Sequence, residues 1–418
     1  MIRNSQIKLE KSEAFAAGSL AEAVARAAGG KVLRWYVAQS TDEDLVVEVT
    51  TCEDARDRPD PSAQRRFYPG KNVVLSVVPT GIGCSIGGFA GDAAPVSNLL
   101  AGAADYLIAN PNTVNASNFI NLQSRNILYT DGYSMDLFCS GAADLHIPYA
   151  NRVGLIVEKT DERSLATIFN IVNAVRAVHG VNISDVVVTE ESIGGRCHEN
   201  ASKGFVGTVD NPRVLLDACE QLVRRGVNAI GVTTNISDLP LHNYAMHFDG
   251  EYPNPIGGVE AIISYLVSNC FNLPSAHAPL LNVKQLDLKH AVVDARGAGE
   301  FASESGLACI LVGLKNAPQI AQPAHARIAD IININNLTAV VTPASCLGGI
   351  PAVCASQQGI PIIAVRENKT ILRVDREVMR MDNVVEVENY AEAAGVLLAL
   401  RNGIHVESIR RPLKTLRY

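Results

Sequence analysis

Residues 77–88 read VVPTGIGCSIGG, and this stretch indicates the fold because an apolar strand runs directly into a glycine-rich turn. A helix is predicted to follow from Pro95, since proline suits the first turn of a helix. Apolar runs recur along the chain, with predicted strands at residues 72–78, 106–109, 126–130, 152–158, 185–189, 229–233, 339–342 and 361–365, and predicted helices at residues 161–178, 212–225, 257–270 and 390–401. Few polar residues interrupt these strands, which is typical of strands covered on both faces. We therefore predict an α/β fold with largely parallel sheets and Rossmann-like alternation of strands and helices.

The domain organisation is predicted as two α/β units plus a small N-terminal unit, with boundaries in the connections between elements. The predicted segments are 1–70, a small N-terminal unit and linker; 71–150, a first α/β unit with the glycine-rich turn; 151–272, a central α/β unit; and 273–418, a C-terminal α/β unit with a second glycine-rich turn. In the first segment we expect a helix near residues 19–28 and strands near 31–38 and 45–51. Residues 52–69 are charged and contain prolines, so an exposed loop or linker is expected there.

The composition is that of a folded chain. Its 418 residues carry a formal net charge of -7, with 47% hydrophobic and 19% charged residues. This mild acidity disfavours a broad nucleic-acid surface. No apolar run approaches the ~18 residues of a membrane span, and the first residues lack a secretory signal, so a cytoplasmic protein without a membrane partner is predicted. The nine cysteines are scattered without a CxxC pair, which does not indicate a disulfide framework, and a homo-oligomer is the general expectation for a soluble protein.

The glycine-rich turn at residues 80–92 is the first candidate binding site. Its candidate contact residues are Thr80, Gly81, Gly83, Ser85, Gly87, Gly88 and Asp92. Glycines let backbone N–H groups approach a ligand closely, and the start of the following helix attracts phosphate or carboxylate. The turn matches neither the Walker A pattern nor the strict dinucleotide-binding pattern. The alternative is a tight strand-to-helix connection that binds no ligand.

A second turn, TPASCLGGIP at residues 342–351, repeats the order proline, small polar residue, cysteine, double glycine and helix. Ser345, Gly348 and Gly349 are therefore further candidates for ligand contacts. A helix dipole would favour the thiolate of Cys346, and Cys84 on the first turn would complete a pair that takes and returns a proton. The alternative is that both cysteines are small buried residues.

The connection at residues 189–210 is long for a strand-to-helix loop, and long loops in compact domains are often functional. It collects Arg196, His198 and Lys203, which are residue types that bind anions and move protons. We favour a functional loop, with His198 as a candidate catalytic residue and Arg196 and Lys203 as substrate contacts. The alternative is a mobile surface excursion.

Further histidines lie downstream. His242, His247 and Asp249 have the ligand types of a two-histidine, one-carboxylate metal site, although their spacing matches no known motif. A divalent metal is thus one possible cofactor, and solvated loop histidines or acid/base roles are the alternatives. His277 is flanked by small residues and a proline, which is a rigid setting for a catalytic imidazole. Its alternative role is that of a hydrogen-bonded structural histidine.

Two weaker candidates follow predicted strands. Asn110 and Asn112 could position a substrate, or could form local Asx turns. Arg366 could present its guanidinium to an anion at the end of the strand at residues 361–365, or could belong to a salt-bridged sheet edge.

Five stretches resemble a known family: PTGIG at 79–83, GG at 87–88, GDAAP at 91–95, NPN at 110–112 and GIPIIAVREN at 359–368. They are similar to a bacterial and cyanobacterial protein family that is known only as a domain of unknown function. The resemblance extends over most of the chain, and it implies no activity, cofactor or catalytic residue.

These observations lead to a functional prediction. We predict an enzyme that acts on a small anionic metabolite, a carboxylate or a phosphate, by acid/base chemistry of the isomerase, lyase or hydrolase type. The glycine-rich turns would hold the anion while a histidine moves protons. One alternative is a nucleotide-dependent transferase or oxidoreductase with the turn at residues 81–91 on the phosphates, although no acidic ribose partner is recognisable. Another alternative is a metabolite-binding sensor that catalyses nothing.

Overall fold

The computed structural model describes residues 2–15, 20–55, 70–116, 125–280, 286–303, 305–320 and 327–418. The strands are β1 Ile2–Glu10, β2 Val32–Ser40, β3 Asp44–Cys52, β4 Val73–Ser76, β5 Tyr106–Ala109, β6 Ile127–Tyr129, β7 Leu145–His146, β8 Val153–Val157, β9 Ile183–Val188, β10 Gly195–Glu199, β11 Phe205–Val209, β12 Ala229–Thr234, β13 Ile236–Ser237, β14 Ser275–Pro279, β15 Ile331–Ile332, β16 Leu337–Pro343, β17 Ile362–Val365 and β18 Val384–Val387. The α-helices are α1 Lys11–Ala14, α2 Leu20–Ala27, α3 Ala94–Ala101, α4 Pro111–Val114, α5 Gly132–Ser140, α6 Glu162–His179, α7 Pro212–Arg224, α8 Leu241–Phe248, α9 Gly257–Phe271, α10 Ala298–Ala302, α11 Gly306–Leu314, α12 Ile350–Gln357, α13 Arg376–Met379, α14 Tyr390–Arg401 and α15 Val406–Ile409. The predicted α/β fold with parallel sheets is confirmed.

A six-stranded parallel sheet forms the larger half of the fold. Its strand order is β18-β17-β16-β4-β5-β6, so the chain builds outward in one direction from β4 and in the other from β16. This is the 3-2-1-4-5-6 order of doubly wound dinucleotide-binding sheets, in which ligands bind where the direction reverses. Leu75 of β4 lies opposite Val340 of β16, so both glycine-rich turns leave the sheet side by side at this reversal point.

The segments at 71–150 and 273–418 therefore contribute strands to one sheet. Residues of the strands, such as Val73, Leu75 and Leu107, have no exposed surface, which explains why the strands are almost wholly apolar in sequence. The predicted domain boundaries stay a prediction. Strands from the first and the last of the predicted α/β units pair within one sheet.

A second parallel sheet has four strands in the order β14-β12-β8-β9. Its own reversal point lies between β8 and β12, where the buried carboxylate of Glu158 follows β8. The Ile193 N–H donates to one oxygen of Glu158 at 2.8 Å, and the Asn235 N–H donates to the other at 2.6 Å. A protein carboxylate thus fills the place where an anionic ligand would bind in this sheet.

The N-terminal unit is an antiparallel sheet, β1-β3-β2, with α1 and α2 beside it, which agrees with the helix and strands expected in this segment. Its strand β2 lies against the second glycine-rich turn, where the Val37 N–H donates to the Gly348 carbonyl at 3.1 Å. Most of the predicted linker, residues 56–69, lies outside the described residues.

The connection at residues 189–210 is not a single long loop, so the prediction of a loop between a strand and a helix is wrong there. It contains β10 and β11, which pair antiparallel with Cys197 opposite Gly207. The hairpin packs closely against α9, as shown by Gly207, where a Cβ atom would come within 2.3 Å of Val259. Polar residues on the outer face of β10 conceal the strand in the sequence, since only alternate side chains are buried. Among the described residues, no helix is both long and apolar enough to cross a membrane.

Candidate functional site

A cavity of about 930 Å³ lies at the carboxyl edge of the six-stranded sheet, beneath both glycine-rich turns. Strand β2, the edge strand β14 and the helices α9, α10, α11 and α12 complete its walls. The predicted site residues that line it are Thr80, Gly88, Asn110, Asn112, His277, Cys346, Gly348 and Gly349. Ligands of doubly wound folds bind at this edge of the sheet, so the cavity is the candidate functional site.

An imidazole–carboxylate pair lies in the cavity. His277 on β14 places its Nδ1 atom 3.5 Å from the Glu260 carboxylate, which is in the first turn of α9. The other imidazole nitrogen, Nε2, is 2.9 Å from the Thr234 hydroxyl on the neighbouring strand β12. The His277 side chain has no exposed surface, whereas a quarter (25%) of the Glu260 side chain is exposed. Glu260 is therefore the member of the pair that a ligand can touch.

A second glutamate faces the same space. Glu300 on α10 accepts a 2.7 Å hydrogen bond from the Ala90 N–H of the first glycine-rich turn. Desolvation of its carboxyl, with further repulsion from Glu260 and Asp92, raises the pKa of Glu300 to about 7. One carboxyl of the cavity is thus protonated in a substantial fraction of molecules at neutral pH.

The first glycine-rich turn is held in shape by its own polar groups. The Gly87 N–H donates to Asp92 at 2.9 Å, and burial raises the pKa of Asp92 to about 7. Gly87 has a φ of 87°, and a Cβ atom there would come within 2.5 Å of Val78. Asn112 donates its side-chain amide to the Gly87 carbonyl at 3.0 Å, and Asn110 accepts from the Val78 N–H at 2.9 Å. Packing therefore accounts for these glycine and asparagine positions without any ligand.

Three buried side chains line the same cavity as the two glutamates. Tyr129 on β6, Tyr244 on α8 and Asn115 after α4 line the cavity and are almost fully buried. Burial raises the pKa of both tyrosine hydroxyls, and Glu260 adds to the rise in each case. We call Asn115, Tyr129, Tyr244, Glu260 and Glu300 the glutamate wall.

A different wall carries positive charge. The N-terminus of α12 opens into the cavity through Gly349, Ile350 and Pro351, and no side chain caps its first N–H groups. Tyr36 on β2 forms a bridge with Gly349, and the Arg34 guanidinium lies 5.2 Å from the centre of the Tyr36 ring. We call Arg34, Gly348, Gly349 and the first residues of α12 the helix wall. A helix N-terminus beside an arginine suits one carboxylate or phosphate group.

The lining as a whole is acidic. Among the described residues that line the cavity, the acidic side chains are Asp131, Asp136, Asp161, Glu260 and Glu300, and the basic side chains are Arg34 and Arg163. The arrangement favours a ligand with one anionic group at the helix wall over a ligand that carries several negative charges.

The two cysteines are brought together but are not activated. Cys84 and Cys346 share a small apolar cluster with Val78, Ile82 and Leu372. Burial raises the pKa of Cys84 well above its usual range, and it raises the pKa of Cys346 to about 12. The prediction that a helix dipole favours the Cys346 thiolate is therefore wrong, because desolvation outweighs the dipole.

The proposed metal ligands do not converge. His242 is exposed, whereas His247 is buried with its ring stacked 4.1 Å from the ring of Phe89, and burial lowers its pKa to about 4. Both lie on α8, where a spacing of five residues points side chains about 140° apart. Asp249 follows the end of the helix. No group of three His, Cys, Asp or Glu side chains in the described parts of the chain is arranged to hold a metal ion, so the predicted metal set is wrong.

The candidates on the β10–β11 hairpin lie outside the cavity lining. Arg196 is paired with Asp210 at 2.7 Å and with Asp238 at 2.8 Å. His198 is exposed on β10, and the exposed Lys203 lies 3.4 Å from Glu199. The structure gives these side chains surface ion pairs and solvent in place of the predicted roles.

The remaining candidates make local contacts. Arg366 donates to Glu388 at 2.7 Å and also to Glu386, which matches the salt-bridged edge considered as its alternative. Ser345 shares a 2.7 Å hydrogen bond with Thr370, and Ser85 donates to the Lys369 carbonyl at 3.2 Å. The turns are thus joined to the segment after β17, and these hydroxyls serve that junction.

Three of the side chains that define the site were not predicted from the sequence, Arg34, Glu260 and Glu300, whereas Asn115 belongs to the polar stretch that follows β5 and begins with the predicted Asn110. Glu260 carried a usable signal, since it follows the paired glycines at 257–258 at the start of a predicted helix. Glu300 carried none, because nothing in a linear pattern indicates which distant strand end a helix will face.

Comparison with known proteins gives a family but no activity. The family described as "Protein of unknown function (DUF3326)" matches residues 72–410. An uncharacterized lipoprotein of Synechococcus is 34% identical over 333 residues, which are 78% of this chain and 90% of that protein. No solved structure matches the chain.

Proposed function

The chain belongs to the DUF3326 family of proteins of unknown function, and we propose that it is an enzyme that moves protons on a small anionic metabolite. The observation that carries the proposal is the placement of the His277–Glu260 pair and the Glu300 carboxyl in one cavity. Two titratable groups held in different protonation states are the usual arrangement of an acid and a base in an active site.

The roles follow from exposure and protonation. Glu260 is the catalytic base, because both residues line the cavity and only its side chain has exposed surface. His277 is a positioning residue whose Nδ1 atom lies 3.5 Å from the Glu260 carboxylate, and Thr234 fixes the imidazole ring. Glu300 is the catalytic acid, since its raised pKa of about 7 leaves a proton to donate.

The substrate's acidic group lies at the helix wall in this proposal. The uncapped start of α12 and Arg34 would hold one carboxylate or phosphate there. A proton on the carbon next to a carboxylate would then face Glu260. Its removal, followed by protonation from Glu300, gives an isomerisation or an elimination.

Solvent exchange tests this proposal without knowledge of the substrate. The protein is incubated in D₂O with a panel of small carboxylic acids that carry hydroxyl, keto or amino groups, and deuterium at the carbon next to the carboxylate is measured by NMR. We expect exchange with some of these acids, and a loss of at least about 100-fold in Glu260→Gln. Glu190→Gln, on an exposed residue outside the cavity, is the matched control. Full exchange activity in Glu260→Gln would refute the proposal.

A second candidate is a nucleotide-dependent transferase or oxidoreductase. The 3-2-1-4-5-6 strand order of the larger sheet favours it, because many such sheets bind dinucleotides at the reversal point. Asn110, and not an acidic residue, follows β5, and its side chain is already bonded to the Val78 N–H. A rise in melting temperature with NAD or ATP, and with no carboxylic acid, would favour this candidate. A rise with an acid but no turnover would favour the sensor.

The setting of the enzyme is also part of the proposal. We infer a cytoplasmic homo-oligomer with neither a nucleic-acid nor a membrane partner. The Synechococcus relative is named a lipoprotein, which is in tension with a cytoplasmic location. Cell fractionation with an antibody against the chain decides the point: recovery in the membrane fraction would contradict the cytoplasmic location.

A further inference from the structure

One buried acceptor on the glutamate wall has no donor. The Asn115 side-chain amide donates to the Cys309 carbonyl at 3.0 Å, which identifies the other end of the group as Oδ1. Asn115 is only 1% exposed, and its Oδ1 atom accepts no hydrogen bond from the residues that the structure describes. Because an unpaired buried acceptor is costly, this atom points to a hydrogen-bond donor on a ligand.

The Asn115 amide and the Glu300 carboxyl belong to the same part of the wall. Glu300 is bonded to the Ala90 N–H, and the next residue, Gly91, approaches Asn115 so closely that a Cβ atom would lie 3.0 Å from the Asn115 carbonyl carbon. Gly299, beside Glu300, is in contact range of Ala116, since a Cβ atom there would lie 3.7 Å from the Ala116 Cβ. Both residues therefore lie beside the segment Ala90–Gly91 and line the same cavity.

Hydrogen-bond complementarity selects the ligand group. Asn115 Oδ1 can only accept, whereas a protonated Glu300 carboxyl donates. A hydroxyl group satisfies both, since its hydrogen is donated to Asn115 and its oxygen accepts from Glu300. An ammonium group would pair only with an ionised Glu300, which then has no proton to give as the acid of the proposed reaction, and a hydrocarbon would leave both groups unpaired.

We propose that the glutamate wall binds a hydroxyl group of the substrate between Asn115 and Glu300, and that the substrate is a small hydroxy acid. The inference rests on the proposed function and names its substrate class. Glu260 takes the proton from the carbon next to the carboxylate, and the C–O bond on the adjacent carbon breaks as a C=C bond forms. Glu300 gives its proton to the departing oxygen, so the products are an unsaturated acid and water. Both glutamates regain their starting states by proton exchange with solvent.

A set of three ligands with the same carbon skeleton tests the hydroxyl site. 3-Hydroxypropionate, β-alanine and propionate share a three-carbon carboxylate and differ in a terminal hydroxyl, ammonium or hydrogen. Binding is measured at pH 7 by NMR titration of each ligand against the full chain. We expect 3-hydroxypropionate to bind at least about tenfold more tightly than either of the others.

Two variants separate binding from chemistry. Asn115→Ala removes the acceptor and leaves the Glu300 carboxyl, so the preference for 3-hydroxypropionate over propionate falls several-fold while propionate binding is retained. Glu300→Gln keeps a hydrogen-bond donor but cannot donate a proton, so the preference survives and formation of the unsaturated acid is lost. Asn173→Ala, at an exposed amide on α6, is the matched control and changes neither measurement. The melting temperature of each variant confirms that it is folded.

Three results would overturn the inference: equal binding of propionate, tighter binding of β-alanine, or no binding of any of the three ligands. Its failure is distinguishable from failure of the proposed function. Deuterium exchange without hydroxyl preference would retain the proton-transfer enzyme and reject the hydroxyl site. Hydroxyl preference without exchange or elimination would retain the site and reject the enzyme.

Discussion

The Glu300→Gln substitution provides a sharp test of the cavity's electrostatics, because glutamine keeps the acceptor for the Ala90 N–H and removes only the titration. The pKa of Glu300 rises from 4.5 to about 7 on folding, mainly because its carboxyl is desolvated. The folded state thus binds this proton more tightly than the unfolded state. The stability due to Glu300 is fully present below pH 4.5 and is lost as the pH rises through about 7.

The size of the effect follows from this pKa difference. Each pH unit between the two pKa values corresponds to about 1.4 kcal/mol of unfolding free energy, so wild type loses at most about 3 kcal/mol of stability over this range. For a chain of this length that free energy corresponds to about 3 °C in melting temperature. Thermal melts of wild type and Glu300→Gln from pH 4.5 to 8 measure it as the change in their difference.

The comparison has a built-in reference. Asp92 also has a pKa raised to about 7, and it titrates in both proteins, so only its repulsion with Glu300 enters the difference. Glu190→Gln is expected to track wild type at every pH. We expect the melting temperature of Glu300→Gln to rise relative to that of wild type as the pH rises. A difference that stays constant across this range would refute the assignment of a raised pKa to Glu300.

Three further predictions concern packing, anion binding and thiol reactivity. Gly87→Ala is expected to lose about 2–4 kcal/mol of unfolding free energy in denaturant titrations, because a positive φ is combined with a 2.5 Å clash. Gly395 lies in a helix with open space around it, so Gly395→Ala is expected to gain up to about 1 kcal/mol. Equal effects of the two substitutions would contradict the packing of the turn. In the NMR titration of ligand binding, Arg34→Gln is expected to weaken propionate binding about tenfold, whereas Arg196→Gln is expected to leave it unchanged. Weaker binding in Arg196→Gln and unchanged binding in Arg34→Gln would exclude the helix wall as the anion site. The thiol of Cys346 is expected to react with iodoacetamide at pH 8 only after unfolding, because burial raises its pKa to about 12. Mass spectrometry follows the labelling, and rapid labelling of Cys346 in the folded chain would contradict this prediction.

The fold could be predicted from sequence because its signals are local. Near-continuous apolar runs such as residues 361–365 indicate buried parallel strands, and the helix at residues 161–178 has both of its ends encoded. Asp161 caps its first turn, and Gly180 ends it in the left-handed conformation. The order of strands in the sheet could not be predicted, since β4 and β16 pair across more than half of the chain.

The site was only partly predictable for the same reason. Both glycine-rich turns were identified, and His277 was recognised by its rigid surroundings. Its partner Glu260 lies on a different element, and its chemistry depends on desolvation that no linear pattern reports. Charged residues such as Arg196 drew attention by type alone, and the structure pairs Arg196 with Asp210 and Asp238 at the surface. Residue type indicates what a side chain can do, whereas burial decides whether it does so.

The protonation state of Glu300 tests the central claim most directly. Infrared difference spectra between wild type and Glu300→Gln isolate the carbonyl band of a single protonated carboxyl group. We predict that this band is present at pH 6 and disappears by pH 8, as expected for a pKa of about 7. Absence of the band at pH 6 would mean that Glu300 is already ionised there, and the cavity would then lack the acid on which the account depends.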